Sequence, residues 1–172
     1  MDRIDLKRVQ ILGTFEDLNR GQGEGELVVE QIMTALPSCV SVNTSVLELV
    51  RMIHAKAFRH LLVTNEQGEL VGVISDRDVL RHLGPGAADK EKLSQITAGD
   101  LMSRDLLTIR THTPIMEAIG IMIDQGISCL PVLEQGRLVG IMTNTDLHIL
   151  LQMMLQAVRL TVSAKPAASS VR

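Results

Sequence analysis

The chain has 172 residues, of which 45% are hydrophobic, 22% charged and 1% aromatic, and its net charge is -3 at pH 7. This composition is typical of a globular protein and excludes the disordered class, while the length allows one medium-sized domain or two small ones. The acidic balance and the absence of Trp and Tyr argue against nucleic acid as a partner, because they leave no positive field and little surface for base stacking.

The two ends of the chain indicate neither a secretory signal nor a membrane span. The first five residues include two acidic side chains and no apolar core, so residues 1–27 are expected to form an N-terminal arm, with a Gly-rich linker at 21–26. The apolar stretch 147–162 is broken by polar residues and is too short to cross a bilayer. Residues 161–172 are predicted to be a disordered tail, and the protein is expected to be cytoplasmic, with no membrane partner.

The two cysteines, Cys39 and Cys129, are 90 positions apart and lie among apolar neighbours. Spacing and surroundings of this kind favour buried free thiols in a reducing compartment over a disulfide.

The sequence contains an internal repeat of one unit in two copies. Residues 66–80 and 134–148 share seven identities in fifteen positions, and most of the other pairs are chemically similar. Upstream, the segment 32–34 (Ile-Met-Thr) matches 101–103 (Leu-Met-Ser) at an offset of 69. We therefore expect two copies of a unit of about sixty residues, each too small to bury a sufficient core alone.

In the first copy, the pattern predicts a short extended stretch at 39–42 and then a helix opened by Thr44 and Ser45. Two strands follow at 60–64 and 70–74, joined by a Gly-containing turn. A second helix ends at the Gly-Pro-Gly breaker that begins at residue 84.

The second copy repeats this order. An extended stretch is predicted at 106–109, followed by a helix opened by Thr113 with Pro114 at its first position. Two strands are predicted at 129–133 and 138–142, and a final apolar helix from 147 to about 160.

These elements predict an α/β fold of two β-α-β-β-α repeats that pack sheet to sheet with pseudo-twofold symmetry. The repeats are expected to span residues 28–86 and 94–160.

The strongest chemical pattern is a glycine, two apolar residues and then Ser/Thr-x-x-Asp, placed where a strand runs into a helix. It occurs with Ser75 and Asp78 in the first copy and with Thr143 and Asp146 in the second. The free N–H groups at such a helix start suit an anion such as phosphate, to which Arg77 could add a contact, and the carboxylate can accept hydrogen bonds from a ribose diol. The same residues would also serve as plain helix N-caps without any ligand.

Taken together, the two copies resemble CBS domains, named for cystathionine β-synthase, and the tandem resembles the pair called a Bateman module. The resemblance covers about residues 28–155. It rests on the doubled Gly-φ-φ-[Ser/Thr]-x-x-Asp pattern, on a Met near the start of each copy (Met33 and Met102), on a Thr at the first helix, and on the strands that begin with His60-Leu61-Leu62 and Cys129-Leu130-Pro131.

The resemblance implies a binding module for adenosine-containing ligands such as AMP, ADP, ATP or S-adenosylmethionine, with no cofactor. Asp78 and Asp146 would hold ribose, and Ser75 and Thr143 would lie near the phosphate. Leu62 stands where the family usually has Pro, which is a departure in the first copy. The first copy has Arg77 where the second has only Thr145, so the first site is expected to hold a phosphate more firmly and to be the stronger. The other positions implied to line the two sites are Ser41 and Val42 with Leu62, and Thr108 and Ile109 with Pro131. His60 lies beside Arg59 near the phosphate end, where it could contact the phosphate or be a structural or solvated histidine.

Three readings of function follow. The leading one is a stand-alone sensor, not an enzyme, that binds an adenine nucleotide in the cleft between its repeats and signals to an unidentified target protein by altered packing. The second is a structural dimerisation module with no ligand, and the third an enzyme. A triad of Ser75, Asp78 and His60 lacks the sequence context of a hydrolase, and no His/Cys spacing indicates a metal site. The apolar final helix is expected to form a homodimer interface.

Overall fold

A computed structural model describes residues 3–19, 26–56, 58–83 and 90–163 of the chain. The predicted linker at 21–26, apart from Glu26, lies outside the described residues, as does the predicted 161–172 tail from 164 onward. The tail prediction is wrong for residues 161–163, which belong to the last helix. The N-terminal arm contains a 17-residue helix. The helices of the described part are α1 Arg3–Asn19, α2 Val29–Ile32, α3 Val46–Lys56, α4 Asp76–Leu83, α5 Lys90–Gln95, α6 Ala98–Leu101, α7 Ile115–Asp124 and α8 Asn144–Ser163. The strands are β1 Thr34–Ala35, β2 Cys39–Ser41, β3 His60–Thr64, β4 Leu70–Ser75, β5 Cys129–Glu134 and β6 Arg137–Thr143.

The strands form two three-stranded sheets, with the orders β2-β3-β4 and β1-β6-β5. In the first, β2 pairs parallel to β3, and β3 pairs antiparallel to β4 with Leu62 opposite Val73. The turn before β4 is held by the Asn65 side chain, whose oxygen accepts the N–H groups of Gln67 and Glu69 at 3.1 and 2.8 Å. Gly68 closes the turn with a φ of 79°, a conformation that glycine adopts without steric cost. The mixed α/β class and the four hairpin strands expected from the sequence are therefore confirmed.

The extended stretch expected at 106–109 is wrong as a strand, because Ile109 makes only an isolated parallel bridge to Val132. The cause lies in the residue that differs between the copies. In the first copy the N–H of Leu62 donates to the carbonyl of Ser38, at 3.4 Å, and helps to pair β2 with β3. Pro131 takes the place of Leu62 in the second copy and has no N–H to donate, so the equivalent ladder bond does not form.

Two further expectations need correction. Cys39 is exposed rather than buried, because β2 alternates and turns only Val40 inward, whereas Cys129 is buried as expected. Pro114 is the N-cap of α7 and not its first residue, while Ser45 caps α3 by accepting the N–H of Glu48 at 3.3 Å.

The chain divides into two compact units, which we call the helical unit and the sheet unit. The helical unit comprises the described residues of Met1–Thr34, His112–Ser128 and Met142–Arg172, and therefore holds α1, α2, α7 and α8. The sheet unit comprises the described residues of Ala35–Thr111 and Cys129–Ile141.

Each unit is held together by a connection between the two sequence copies. In the helical unit the N–H of Val29 at the start of α2 donates to the carbonyl of Thr113, at 2.9 Å. In the sheet unit the N–H of Ala98 at the start of α6 donates to the carbonyl of Thr44, at 2.8 Å. The short helix that opens each copy is thus attached to the entry of the other copy's long helix. The compact units therefore do not follow the repeats, whose boundaries at 28–86 and 94–160 stay a prediction.

The sheet unit has an aliphatic core, as the near absence of aromatic residues requires. One cluster lies between the first sheet and the helices that cover it, and a second joins Leu62 to Cys129 and Ile141. The buried members of the first cluster are Val40, Val46, Leu49, Leu61, Val63, Ile74, Val79, Ala98, Leu101 and Met102.

Candidate functional site

The first motif lies at the point where β4 runs into α4. The N–H and the hydroxyl of Ser75 both donate to Oδ2 of Asp78, at 2.8 and 2.6 Å. The N–H of Asp78 in turn donates to Oγ of Ser75, at 3.2 Å. This reciprocal arrangement satisfies backbone donors at the helix start and fixes the Asp78 carboxylate at the end of the strand.

The second motif has the same local geometry at the junction of β6 and α8. The N–H and hydroxyl of Thr143 donate to Oδ2 of Asp146, at 2.6 and 2.9 Å. The resemblance between the copies therefore extends from the sequence to the orientation of the carboxylate.

A third turn of this type shows that the geometry does not require a ligand. At the start of α6, the N–H and hydroxyl of Thr97 donate to Oδ2 of Asp100, at 2.9 and 2.8 Å. These hydrogen bonds lower the pKa of Asp100, because they stabilise its charged form. Since this turn caps a four-residue helix, the capping bonds alone do not separate a nucleotide site from a helix cap.

Access to the carboxylate is what separates the two motifs. The Asp78 side chain is 29% exposed, and its Oδ1 has the guanidinium of Arg81 at 3.8 Å, which is itself 78% exposed. The Asp146 side chain is only 2% exposed, because Nζ of Lys7 on α1 lies 2.5 Å from its Oδ1. Asp78 can therefore accept hydrogen bonds from an incoming group, whereas both oxygens of Asp146 are already occupied.

Basic and acidic side chains surround the entry to α4. His60 on β3 is the register partner of Ser75, and the carbonyl of the preceding Arg59 accepts the N–H of Asp76 at 3.0 Å. The Arg59 guanidinium lies 3.9 Å from the Asp76 carboxylate, and Arg77 is exposed. Burial lowers the pKa of His60, which favours its neutral form, and the two arginines act in the same direction against the two nearby carboxylates.

The positions predicted to meet a base in the first copy also belong to the sheet unit. Ser41 is exposed at the end of β2 and Val42 is half-buried. The N–H of Val42 donates to Thr64 at 3.2 Å, and its carbonyl accepts the N–H of Gly99 at 2.8 Å, so a ligand there would use the carbonyl's second lone pair. The Leu62 side chain is fully buried in the core.

The corresponding residues of the second copy are divided between the units. Thr143 and Asp146 belong to the helical unit, whereas Thr108, Ile109 and Pro131 belong to the sheet unit. Thr108 is exposed, while Ile109 and Pro131 are buried and bonded to each other, the Ile109 N–H donating to the Pro131 carbonyl at 3.1 Å.

Two residues of the site were missed by the sequence analysis. Lys7 and Thr34 both contact Asp146, and the Thr34 hydroxyl lies 3.4 Å from its Oδ1. Thr34 had a signal, because it is the match of Ser103 in the repeat. Lys7 had no such signal, because it is a single lysine in an N-terminal arm that the sequence allowed to be either helical or free.

The part of the chain that the structure describes contains neither a metal-binding cluster nor a helix that could span a membrane. No group of three or more His, Cys, Asp or Glu side chains there could hold a metal ion. None of the described helices has the length and hydropathy needed to cross a bilayer.

Comparison with known proteins identifies the repeated unit. The family model described as "CBS domain" matches residues 29–85 and 98–152. An uncharacterized protein of Methanopyrus kandleri is 28% identical over 130 residues, which cover 74% of this chain and 62% of that protein. Other relatives are enzymes by name, including homoserine O-acetyltransferases of which the chain spans 24% and 25%. The chain thus spans less than two thirds of the length of each of these relatives.

Two solved structures are similar in fold and in sequence. The CBS domain pair of protein MJ0100, solved in complex with 5'-methylthioadenosine and S-adenosyl-L-methionine, is 26% identical with a TM-score of 0.66, and the match covers 76% of this chain and 99% of that one. The protein CBSX2, solved in complex with AMP, is 28% identical with a TM-score of 0.62, over 74% and 98% of the two chains. CBS pairs of this family are generally regulatory, ligand-binding and non-catalytic modules.

Proposed function

This chain belongs to the CBS-domain family, and on that premise we propose that it is a regulatory module that binds AMP, ADP or ATP at the Ser75 and Asp78 turn. The observation that carries the proposal is the Asp78 carboxylate, which is oriented by its own helix cap and yet remains accessible. A cytoplasmic adenine-nucleotide sensor is the activity that best fits this arrangement.

The Asp78 carboxylate is suited to the ribose. A carboxylate offers about four acceptor positions, of which the Ser75 N–H and hydroxyl use two, both on Oδ2. The contact that Oδ1 makes with Arg81 among the described residues is long and exposed. Two neighbouring hydroxyls can therefore donate to Asp78 without breaking the cap, and hydrogen bonds to a charged acceptor are stronger than neutral ones.

The phosphate is proposed to lie at the start of α4, an eight-residue helix. The N-terminus of α4 carries a partial positive charge, and Arg77 is exposed beside it. Arg59 is also exposed and its contact with Asp76 is long, at 3.9 Å, so it can turn towards an anion. His60 would contribute a neutral N–H donor, in line with its lowered pKa.

The adenine is proposed to contact Ser41, which is exposed at the end of β2, and the second lone pair of the Val42 carbonyl. Leu62 would act indirectly, because its buried side chain fixes the spacing of β3 and its N–H ties β3 to Ser38. Main-chain contacts of this kind would recognise the base. Selectivity for the number of phosphates would depend on Arg77, Arg59 and His60.

Signalling is proposed to pass through the exposed apolar face of α8 to a second copy of the chain or to a separate target protein. The apolar side chains on this face are each 48% to 61% exposed, which is a large exposed apolar surface for one helix of a monomer. A homodimer formed through this face would let a nucleotide alter the contact between copies without any catalytic step. The residues are Leu151, Met154, Leu155 and Val158.

Calorimetric titration tests the proposal, with AMP, ADP, ATP, S-adenosylmethionine and 5'-methylthioadenosine as the panel. We expect at least one saturable binding event in the wild type, weakened about tenfold to a hundredfold in Asp78→Ala, since hydrogen bonds to a charged group contribute about 1.5–3 kcal/mol. Asp100→Ala is the matched control, because it removes the same type of cap from α6 and its carboxylate is not proposed to contact the nucleotide. Equal binding by Asp78→Ala and Asp100→Ala would contradict the proposal.

A structural dimerisation module without a ligand is the second candidate. The identical bonds at Asp100, where only a helix is capped, are the observation that favours it. It predicts no heat with any member of the panel, and an equal stability cost of about 1 kcal/mol for Asp78→Ala and Asp100→Ala.

A further inference from the structure

The two motifs are capped alike, yet only one has its carboxylate sealed by another part of the chain. Lys7 reaches Asp146 from α1, more than one hundred positions away, and its Nζ also donates to the Thr34 hydroxyl at 2.7 Å. Asp146 therefore receives the Thr143 N–H and hydroxyl on Oδ2, and Lys7 and Thr34 on Oδ1. All of these residues lie in the helical unit.

From this contact we propose that α1 is an inhibitory element in which Lys7 occupies the ribose-binding carboxylate of the second motif. The inference rests on the proposed function of the first motif. As long as α1 is docked, each chain binds a single nucleotide, at Asp78. Undocking of α1 frees Asp146 and makes a second nucleotide possible.

The position of Lys7 is unusual for a lysine on a terminal helix. Its side chain is only 7% exposed, and removing an ammonium group from water is unfavourable unless a charged partner compensates for it. Asp146 is that partner. A ligand's hydroxyls would have to replace a charge-assisted contact of 2.5 Å, so they compete poorly for this carboxylate while Lys7 is in place.

The docking of α1 is limited enough to be reversible. Ile11, one turn after Lys7, is fully buried, and the two side chains share one face of the helix. The opposite side of α1 carries large apolar residues that remain exposed, among them Leu6 and Leu12 at 55% and 51%. Two polar contacts of α1 with the rest of the unit are long and exposed, namely Arg8 with Gln152 at 3.4 Å and Gln10 with the Gln31 carbonyl at 3.3 Å.

The test compares the full-length wild type with Ile11→Ser, which weakens the docking of α1 and leaves Lys7 and Asp146 unchanged. Leu12→Ser is the matched control, since it alters an exposed leucine of the same helix. Calorimetry with AMP gives the number of sites per chain, and competitive acylation read by mass spectrometry gives the accessibility of the Lys7 amine. A second variant, Lys7→Ser, removes the ammonium directly and serves where Ile11→Ser does not fold.

We expect one site per chain and a protected Lys7 in the wild type and in Leu12→Ser. Ile11→Ser should expose Lys7 and bind two nucleotides per chain, and Lys7→Ser should also bind two. Addition of Asp146→Ala to either variant should return the number to one. Two sites in the wild type, or one site after Lys7 is exposed or removed, would overturn the inference alone. No binding by any of these proteins would overturn the proposed function and the inference with it.

Discussion

Gly72 and Met102 are in direct contact in the sheet unit, although they belong to different copies of the repeat. A Cβ on Gly72 would lie 2.7 Å from Cγ and 2.8 Å from Cβ of Met102, closer than real carbon atoms approach. Both residues belong to the pattern that defines the repeat. The contact gives a packing reason for the motif glycine, because β4 must lie close to the segment after α6, where Val73 and Ser103 exchange main-chain hydrogen bonds of 3.1 and 2.9 Å.

Gly72→Ala should therefore destabilise the protein by about 1–3 kcal/mol, the usual cost of overpacking a core. Gly120→Ala is the control, since Gly120 lies inside α7 with no atom within 4 Å of the added carbon. That change should stabilise by up to about 1 kcal/mol through helix propensity. Urea unfolding measures both, and two values of the same sign would contradict the packing argument.

The stability of the protein should fall as the pH is lowered through the ordinary pKa of histidine. Burial lowers the pKa of His60 in the folded chain. As the pH falls, the unfolded chain therefore binds this proton at a higher pH than the folded chain does, and protonation stabilises the unfolded state relative to the folded one. The stabilisation is present above about pH 6.5 and is lost below it. Urea unfolding at about pH 7.5 and about pH 5.5 should show this decrease, and His60→Gln should reduce it. His112 is exposed, so a loss of the pH dependence in His112→Gln instead would contradict the assignment.

The two cysteines should react at different rates with a thiol reagent. Cys129 is buried, and burial raises its pKa to about 12, so little thiolate is present at neutral pH. Cys39 is exposed, although desolvation raises the pKa of its thiol as well. We expect one reactive thiol per native chain and two in guanidinium, with the native signal absent in Cys39→Ser. Two rapidly reacting thiols in the native protein would contradict the burial of Cys129.

The buried pair of Lys7 and Asp146 should matter far more to stability than the exposed pair of Asp5 and Arg8 on the same helix. Removing one partner of a buried pair leaves an uncompensated charge, which costs about 3–5 kcal/mol, whereas exposed pairs contribute about 0–1 kcal/mol. Asp5 and Arg8 are 3.7 Å apart and about half exposed. Lys7→Met should therefore lower the free energy of unfolding by several times more than Arg8→Ala. Equal losses of unfolding free energy in Lys7→Met and Arg8→Ala would contradict the stabilising role assigned to the buried pair.

Much of the fold could be predicted because the repeat supplies each local signal twice. The strand β3 has the predicted bounds, and the other hairpin strands differ from their predicted bounds by one residue at one or both ends. The motif turns at Asp78 and Asp146 also follow from the spacing of hydroxyl and carboxylate, since this spacing places both at a helix start. The prediction went wrong where the copies differ chemically, at Pro131, because a local pattern of apolar residues does not reveal which N–H groups are missing.

Long-range contacts were not predictable in the same way. Lys7 meets Asp146 only because α1 docks beside α8, and nothing in the spacing of residues 1–19 distinguishes this lysine from a solvated one. The exposure of Cys39 depends on which side of β2 faces the core, and three residues are too few to define that alternation reliably. The two motifs therefore looked more alike in sequence than they are in the folded chain.

The most direct measurement of the central claim is a crystal structure of the full-length protein with AMP. We predict that the 2'- and 3'-hydroxyls of the ribose lie within about 2.7–3.0 Å of the Asp78 carboxylate, with the phosphate near the N-terminus of α4 and Ser75 still bonded to Oδ2. AMP bound elsewhere, with the Asp78 carboxylate contacting only Ser75 and Arg81, would contradict the account.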